Sequence, residues 1–196
     1  MGETASLALI HAAVIEFLRD RDDAILFGAQ AVNAYIDDAR ATQDVDVLSL
    51  RGEALAEEIR EFLNGKFHIA VRVRKIREGI GYRIFQLRKP ANRHLVDVRP
   101  VAMLPPAQRV ANVLVLTPVE LVATKVIAYQ RRNGTPKSFT DRRDIALLLL
   151  KFPELKTETG AVHERLIANG ADEDILAVWR MLVAEEIRPE DDEAGY

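Results

Sequence analysis

At 196 residues, 48% hydrophobic and 29% charged, with ten glycines and eight prolines, the chain has the composition of a folded protein and falls outside the disordered and low-complexity classes. It has no cysteine, which excludes a disulfide framework, a thiolate metal centre and a cysteine nucleophile. Net charge is −3, the histidines His11, His68, His94 and His163 make no zinc-ligand spacing, and no apolar run is long enough for a bilayer, so a cytoplasmic protein without membrane anchor or secretory signal is expected.

Residues 4–20 place Leu7, Ile10, Ala13, Val14, Phe17 and Leu18 at three- and four-residue spacing, which predicts an amphipathic helix closed by Arg19-Asp20-Arg21-Asp22. Ala24 to Phe27 reads as a short buried strand, and Gly28-Ala29 turns it into a small-residue helix. Asp44 to Leu50 alternates as a strand does. Gly52 to Asn64 is helical through Leu55, Ile59, Phe62 and Leu63, with Asn64-Gly65 expected to end it.

Three strands follow on period-two evidence: Phe67, Ile69, Val71 and Val73 on one face of the first, then Tyr82 to Arg88 after a turn at Glu78-Gly79, then His94 to Arg99. Their short connections predict an antiparallel meander. Pro100, Pro105 and Pro106 mark an exit from the sheet, before a last short strand at Val113 to Leu116. Thr117-Pro118-Val119-Glu120 has the form of a helix start with a capping box. Beyond it helices are expected over 118–130, 140–151, about 158–168 and 173–186. The expected organisation is an α/β core at 1–116, a C-terminal helical unit at 117–187 and an acidic tail at 188–196.

Charge is unevenly distributed. Residues 72–99 carry nine basic groups against Glu78 and Asp97, and 129–143 carry five against Asp141. Such runs serve equally as solvated faces and as phosphate-facing surfaces.

Asp44, Asp46 and Asp97 are the candidate catalytic and metal-binding residues. Alternation puts Asp44 and Asp46 on one face while Val45 and Val47 face the core, and Asp97 between Val96 and Val98 follows the same logic. Carboxylates converging from neighbouring strands repel one another unless a cation neutralises them, and hard oxygen ligands suit Mg²⁺ or Mn²⁺. Upstream, Gly28-Ala29 stands at a strand-to-helix junction, where free N–H groups favour a phosphate.

Taken together, Leu26-Phe27-Gly28-Ala29, Arg40-Ala41-Thr42-Gln43-Asp44-Val45-Asp46-Val47 and Val96-Asp97-Val98 resemble the polymerase-beta-type nucleotidyltransferase superfamily. The Arg40-Ala41-Thr42 approach is most similar to the minimal prokaryotic members, among them toxins of abortive-infection and toxin–antitoxin systems. The helix start at Thr117, Lys125 within that helix, and Asp141 with Asp144 also resemble those proteins. Ala29 stands where the family has Gly or Ser, and fourteen residues separate it from Asp44, slightly more than the pattern.

The resemblance implies, for the α/β core, a mixed sheet flanked by helices. It also implies that Gly28 and Ala29 let the backbone approach nucleotide phosphates and that Asp44 and Asp46 hold Mg²⁺ or Mn²⁺. It implies that Asp97 completes the metal site and helps deprotonate an attacking hydroxyl. Arg40, Thr42 and Lys125 are further nucleotide-binding candidates. Lys125 is as well placed to run its stem over an apolar helix face and reach solvent, and Asp141 and Asp144 to cap a helix and pair with Arg142 or Arg143. The implied activity is transfer of a nucleoside monophosphate from an NTP to a hydroxyl of RNA or protein, with a toxin-like role and a cognate antitoxin. An antibiotic hydroxyl as acceptor, and a non-catalytic binding module on the same fold, are the alternatives.

Overall fold

The alternating segments meet in a single seven-stranded sheet. Its strands are β1 (Ala24–Phe27), β2 (Val45–Ser49), β3 (Val71–Lys75), β4 (Tyr82–Gln86), β5 (Arg93–Pro100), β6 (Ala107–Val110) and β7 (Val113–Leu116), in spatial order β3-β4-β5-β2-β1-β7-β6. The β2–β5 and β1–β7 pairs are parallel and the others antiparallel, so the sheet is mixed and the β3-β4-β5 meander is present. The computed structural model describes residues 5–76 and 81–189. The expected Glu78-Gly79 turn and residues 190–196 of the acidic tail lie outside them. The chain divides into two compact units, Met1–Thr117 and Pro118–Tyr196.

In the first unit, Val45, Val47, Ile84, Val96 and Val98 are fully buried. Their strand neighbours Asp46, Arg83 and Arg99 point to the opposite face, as the period of two requires. Helix α1 (Leu7–Phe17) starts at Ser6, whose hydroxyl accepts from Leu9 N–H, and it buries Ile10, Ala13 and Val14. Helix α3 (Gly52–Phe67) packs against α1 and against β2, β3, β4 and β5, with Leu55, Ile59 and Leu63 in the core. Phe17 and Phe62 join the two helices, ring centres 4.9 Å apart.

Three expectations change here. Asn64-Gly65 does not end α3: the helix runs on to Phe67 and His68 takes the left-handed cap position at φ 51°. Asn64 instead accepts a hydrogen bond from Val71 N–H through its side chain and so fixes the start of β3. Phe67 is therefore helical and does not belong to the strand face. The proline-rich stretch after β5 contains β6, which forms a hairpin with β7. Its turn uses Ala111 and Asn112, both at positive φ (46° and 67°), without the glycine that normally signals such a turn.

The second unit consists of α4 (Pro118–Arg131), α5 (Pro136–Lys151), α6 (Ala161–Ala168) and α7 (Glu173–Ala184), with α4 contacting the other three. Leu121, Val126, Ile145, Leu148, Leu166 and Trp179 form its core. Helix α5 begins four residues earlier than the expected 140, because Thr135 is extended and Pro136 enters the first turn, where its missing N–H costs nothing. Glu120, in the first turn of α4, is buried and pairs with Arg165. Among the described residues, no helix is long and apolar enough to cross a membrane.

Candidate active site

The parallel register of β2 and β5 sets Asp46 directly beside Asp97. Antiparallel pairing with β1 sets Phe27 on the other side of Asp46, and pairing with β4 sets Arg83 on the other side of Asp97. All four share the face opposite the valine core. Asp44 immediately precedes β2 and lies on that face by the same alternation.

Helix α2 (Gly28–Asn33) organises the approach to Asp44. The Asn33 side-chain amide donates to Arg40 C=O and its oxygen accepts from Arg40 N–H, while Gln30 Nε2 donates to Thr42 Oγ1 at 2.7 Å. The polar run between α2 and β2 is thereby tied down at residues 40 and 42. The geometry thus places Arg40 and Thr42 in the segment that delivers Asp44. Gly28 is at φ +69°, and a Cβ added to it would meet Asp46 Oδ2 at 2.2 Å. Glycine is required here twice, for a left-handed backbone and for the space the carboxylate fills. Helix α2 has only six residues, so its dipole is short.

Sequence reasoning missed His94. A bulge in the β4–β5 pairing sets Ile84 opposite Val96 and Phe85 opposite His94, leaving Leu95 as the extra residue. The bulge shifts the alternation, so His94 and Asp97 share a face although three residues apart. His94 Nδ1 lies 3.2 Å from Asp44 Oδ2, and Nε2 lies 2.9 Å from Asp97 Oδ1. Arg83 reaches Asp97 as well, Nε at 2.9 Å from Oδ1 and Nη2 at 3.4 Å from Oδ2.

These contacts set the charge states. Burial pushes the Asp97 carboxyl up, but hydrogen bonds from His94 and Arg83 outweigh it and hold the group below its ordinary range. Burial pushes His94 down, and its bond to Asp97 with the negative charge of Asp97 and Asp44 reverses this, leaving it raised. Both ring nitrogens face carboxylate oxygens, so the imidazolium is the form that donates to both.

One ligand atom from each of Asp44, His94 and Asp97 lies within 4.8 Å of the others. Two carboxylate oxygens and an imidazole nitrogen converging at that range fit a divalent cation, and protonated His94 neutralises the same pair of carboxylates. Asp46, expected as a ligand beside Asp44, is outside this cluster but adjacent to it through its pairing with Asp97.

Lys125, a nucleotide-binding candidate from the sequence, makes its contacts inside the second unit. It is 8% exposed, and its ammonium donates to Asp141 Oδ1 at 3.0 Å and Asp144 Oδ2 at 2.7 Å. Asp141 also accepts from Arg132, and Arg142 pairs with Glu185. Lys125, Asp141 and Asp144 thus pin α4 to α5 inside the second unit.

The sequence matches, over residues 12–194, the family described as nucleotidyl transferase AbiEii toxin, type IV TA system. The chain belongs to this nucleotidyltransferase family, in agreement with the resemblance of its motifs. Its fold is similar to that of the Megavirus polyadenylate synthase, with a TM-score of 0.60 and 14% identity over 75% of this chain. The match spans only 32% of that larger protein. It is also similar to JHP933 from Helicobacter pylori, with a TM-score of 0.55 and 11% identity over 92% of this chain and 94% of that one. A search of the curated proteins by sequence finds no match.

Proposed function

We propose that the open face of the sheet transfers a nucleoside monophosphate from an NTP to a hydroxyl of a macromolecular acceptor in a reaction that needs Mg²⁺ or Mn²⁺. The observation that carries this reading is the convergence of Asp44, His94 and Asp97 beside Asp46, in a chain of the AbiEii family. Asp44, Asp97 and neutral His94 would hold the cation, with Asp46 completing the acidic surface. A divalent ion so held supplies charge neutralisation for the triphosphate and for the developing alkoxide.

The remaining work falls to the chain. Gly28 and Ala29 present backbone to the phosphates, and Arg40 and Thr42 fix the segment that borders them. Asp97 Oδ takes the proton of the acceptor hydroxyl. The hydroxyl oxygen then bonds to the α-phosphorus, the bond from that phosphorus to the bridging oxygen of the β-phosphate breaks, and pyrophosphate leaves. Asp97 is the residue for this step because its carboxylate lies beside Asp46 on the open face and belongs to the cluster that would hold the cation. Lys125 takes no part in binding the nucleotide and serves the packing of the helical unit.

The family description supports a toxin-like role with a cognate antitoxin as the protein's counterpart, and the acceptor of this proposal is RNA or protein. The test is incubation with each α-labelled NTP, Mg²⁺ or Mn²⁺, and separate fractions of cell RNA, cell protein and small molecules. Label in the RNA or protein fraction supports the reading. Label confined to a small molecule such as an aminoglycoside moves the acceptor to the antibiotic class, and no label in any fraction refutes transfer.

A further inference from the structure

Five strands contribute one residue each to a single row across the open face: Arg74, Arg83, Asp97, Asp46 and Phe27. The basic half of the row abuts the acidic half at Arg83 and Asp97. Arg74 and Arg83 are directly opposite one another, an arrangement in which like charges repel. Arg74 is exposed and makes no ion pair with any described residue. Arg72 is also exposed and lies on the same strand face, about 7 Å along β3.

Arg83 stands between two roles. Its guanidinium holds Asp97, yet the Arg83 side chain is 45% exposed while that of Asp97 is 9% exposed. The oxygen that Arg83 Nε contacts, Asp97 Oδ1, is also the one His94 contacts, and Asp97 is a member of the three-residue cluster. A dication at that cluster repels the guanidinium at short range and takes over the neutralisation of Asp97. The guanidinium is then free to turn toward Arg74, its neighbour in the row. Two guanidiniums side by side match the oxygens of a phosphate bidentately, and the extension to Arg72 along the strand matches a chain of repeating negative charges.

Resting on the nucleotidyl-transfer reading of the acidic cluster, we infer that Arg74 and Arg83 form a phosphodiester-binding subsite for a polynucleotide acceptor. Arg83 exchanges Asp97 for that phosphate when the cation binds, so cation and acceptor each strengthen the binding of the other.

The test uses the full chain, Mn²⁺ binding read by electron paramagnetic resonance, and a short fluorescein-labelled single-stranded RNA read by anisotropy. In the parent protein, Mn²⁺ should tighten RNA binding several-fold. Arg83→Gln should bind Mn²⁺ more tightly than the parent, bind RNA about tenfold more weakly, and lose the coupling. Arg74→Gln should weaken RNA binding and leave Mn²⁺ affinity unchanged. Arg83→Lys keeps the charge beside Asp97 and should give the same RNA defect in a protein whose circular dichroism is unaltered. Mn²⁺ affinity that falls or stays the same in Arg83→Gln, or RNA binding indifferent to both arginines, overturns the inference while leaving the metal site standing. An acidic peptide that binds at Arg74 and Arg83 in place of RNA overturns the phosphodiester assignment. A parent protein that binds no Mn²⁺ removes both this inference and the transfer reading beneath it.

Discussion

Asp46 occupies the space that a side chain at Gly28 would need, its Oδ2 lying 2.2 Å from where a Cβ at that position would be. The end of β1 and the start of β2 are therefore specified together, and the carboxylate beside Asp97 keeps its orientation because residue 28 has no side chain. Replacing Gly28 disturbs backbone and site at once.

Gly28→Ala should lose about 1–2 kcal/mol of stability from the left-handed backbone alone, and the displaced Asp46 carboxylate should remove most of the transfer activity. Denaturant unfolding and label transfer, measured on the same preparation, check the two effects. Full activity in Gly28→Ala would show that the position of Asp46 is immaterial.

The carboxylates should separate by role. An amide keeps the shape of Asp97 but takes up no proton and balances no cation. Asp97→Asn should weaken Mg²⁺-dependent NTP binding and abolish transfer, because it loses both a cation ligand and the proton acceptor, whereas Asp44→Asn should weaken both. Asp46→Asn should behave like Asp44→Asn. Equilibrium NTP binding in Mg²⁺, set beside label transfer for the three variants, makes the comparison. Asp97→Asn transferring at the parent rate would remove Asp97 from the chemistry.

Lys125→Met removes a buried cation from between Asp141 and Asp144 and leaves two buried carboxylates without it. The expected loss is about 3–5 kcal/mol, with NTP affinity of the folded fraction unchanged. Loss of NTP affinity without loss of stability would restore Lys125 to the triphosphate.

His11 gives the first unit an acid sensitivity. Burial pushes its imidazole below the ordinary 6.5, the negative charge of Asp44 opposes this, and His94 and Arg93 add to it. A group with a lowered pKa is protonated first in the unfolded chain. Its contribution to stability is therefore complete above pH 6.5 and declines as the pH falls through and below that value. Urea midpoints measured from pH 7.5 down to pH 5 should fall in the parent and fall less in His11→Gln; parallel profiles would contradict the assignment.

The alternation Asp44-Val45-Asp46-Val47 was enough to put two carboxylates on one strand face, because the period of a strand is a local property. The β3-β4-β5 meander followed from its short connections, and the mixed sheet from the family resemblance. His94 was not legible, because it reaches that face through a bulge at Leu95, and a bulge is set by how two strands pair. Strand β6 was hidden because its hairpin turns on Ala111 and Asn112 instead of glycine. Asn64-Gly65 misled because Asn64 spends its side chain on Val71 and leaves the helix free to continue. For Lys125 the spacing of α4 showed a stem crossing an apolar face, but the identity of its partners depended on the packing of α5.

The most direct test of the account is transfer from an α-labelled NTP to cell RNA and protein by the parent protein and by Asp46→Asn, each with Mn²⁺ and with excess EDTA. Labelled acceptor accompanied by released pyrophosphate, seen only with the parent and only with Mn²⁺, is the predicted result. Labelling that persists in EDTA, or that Asp46→Asn performs as well as the parent, would contradict a metal-dependent transfer site on this face of the sheet.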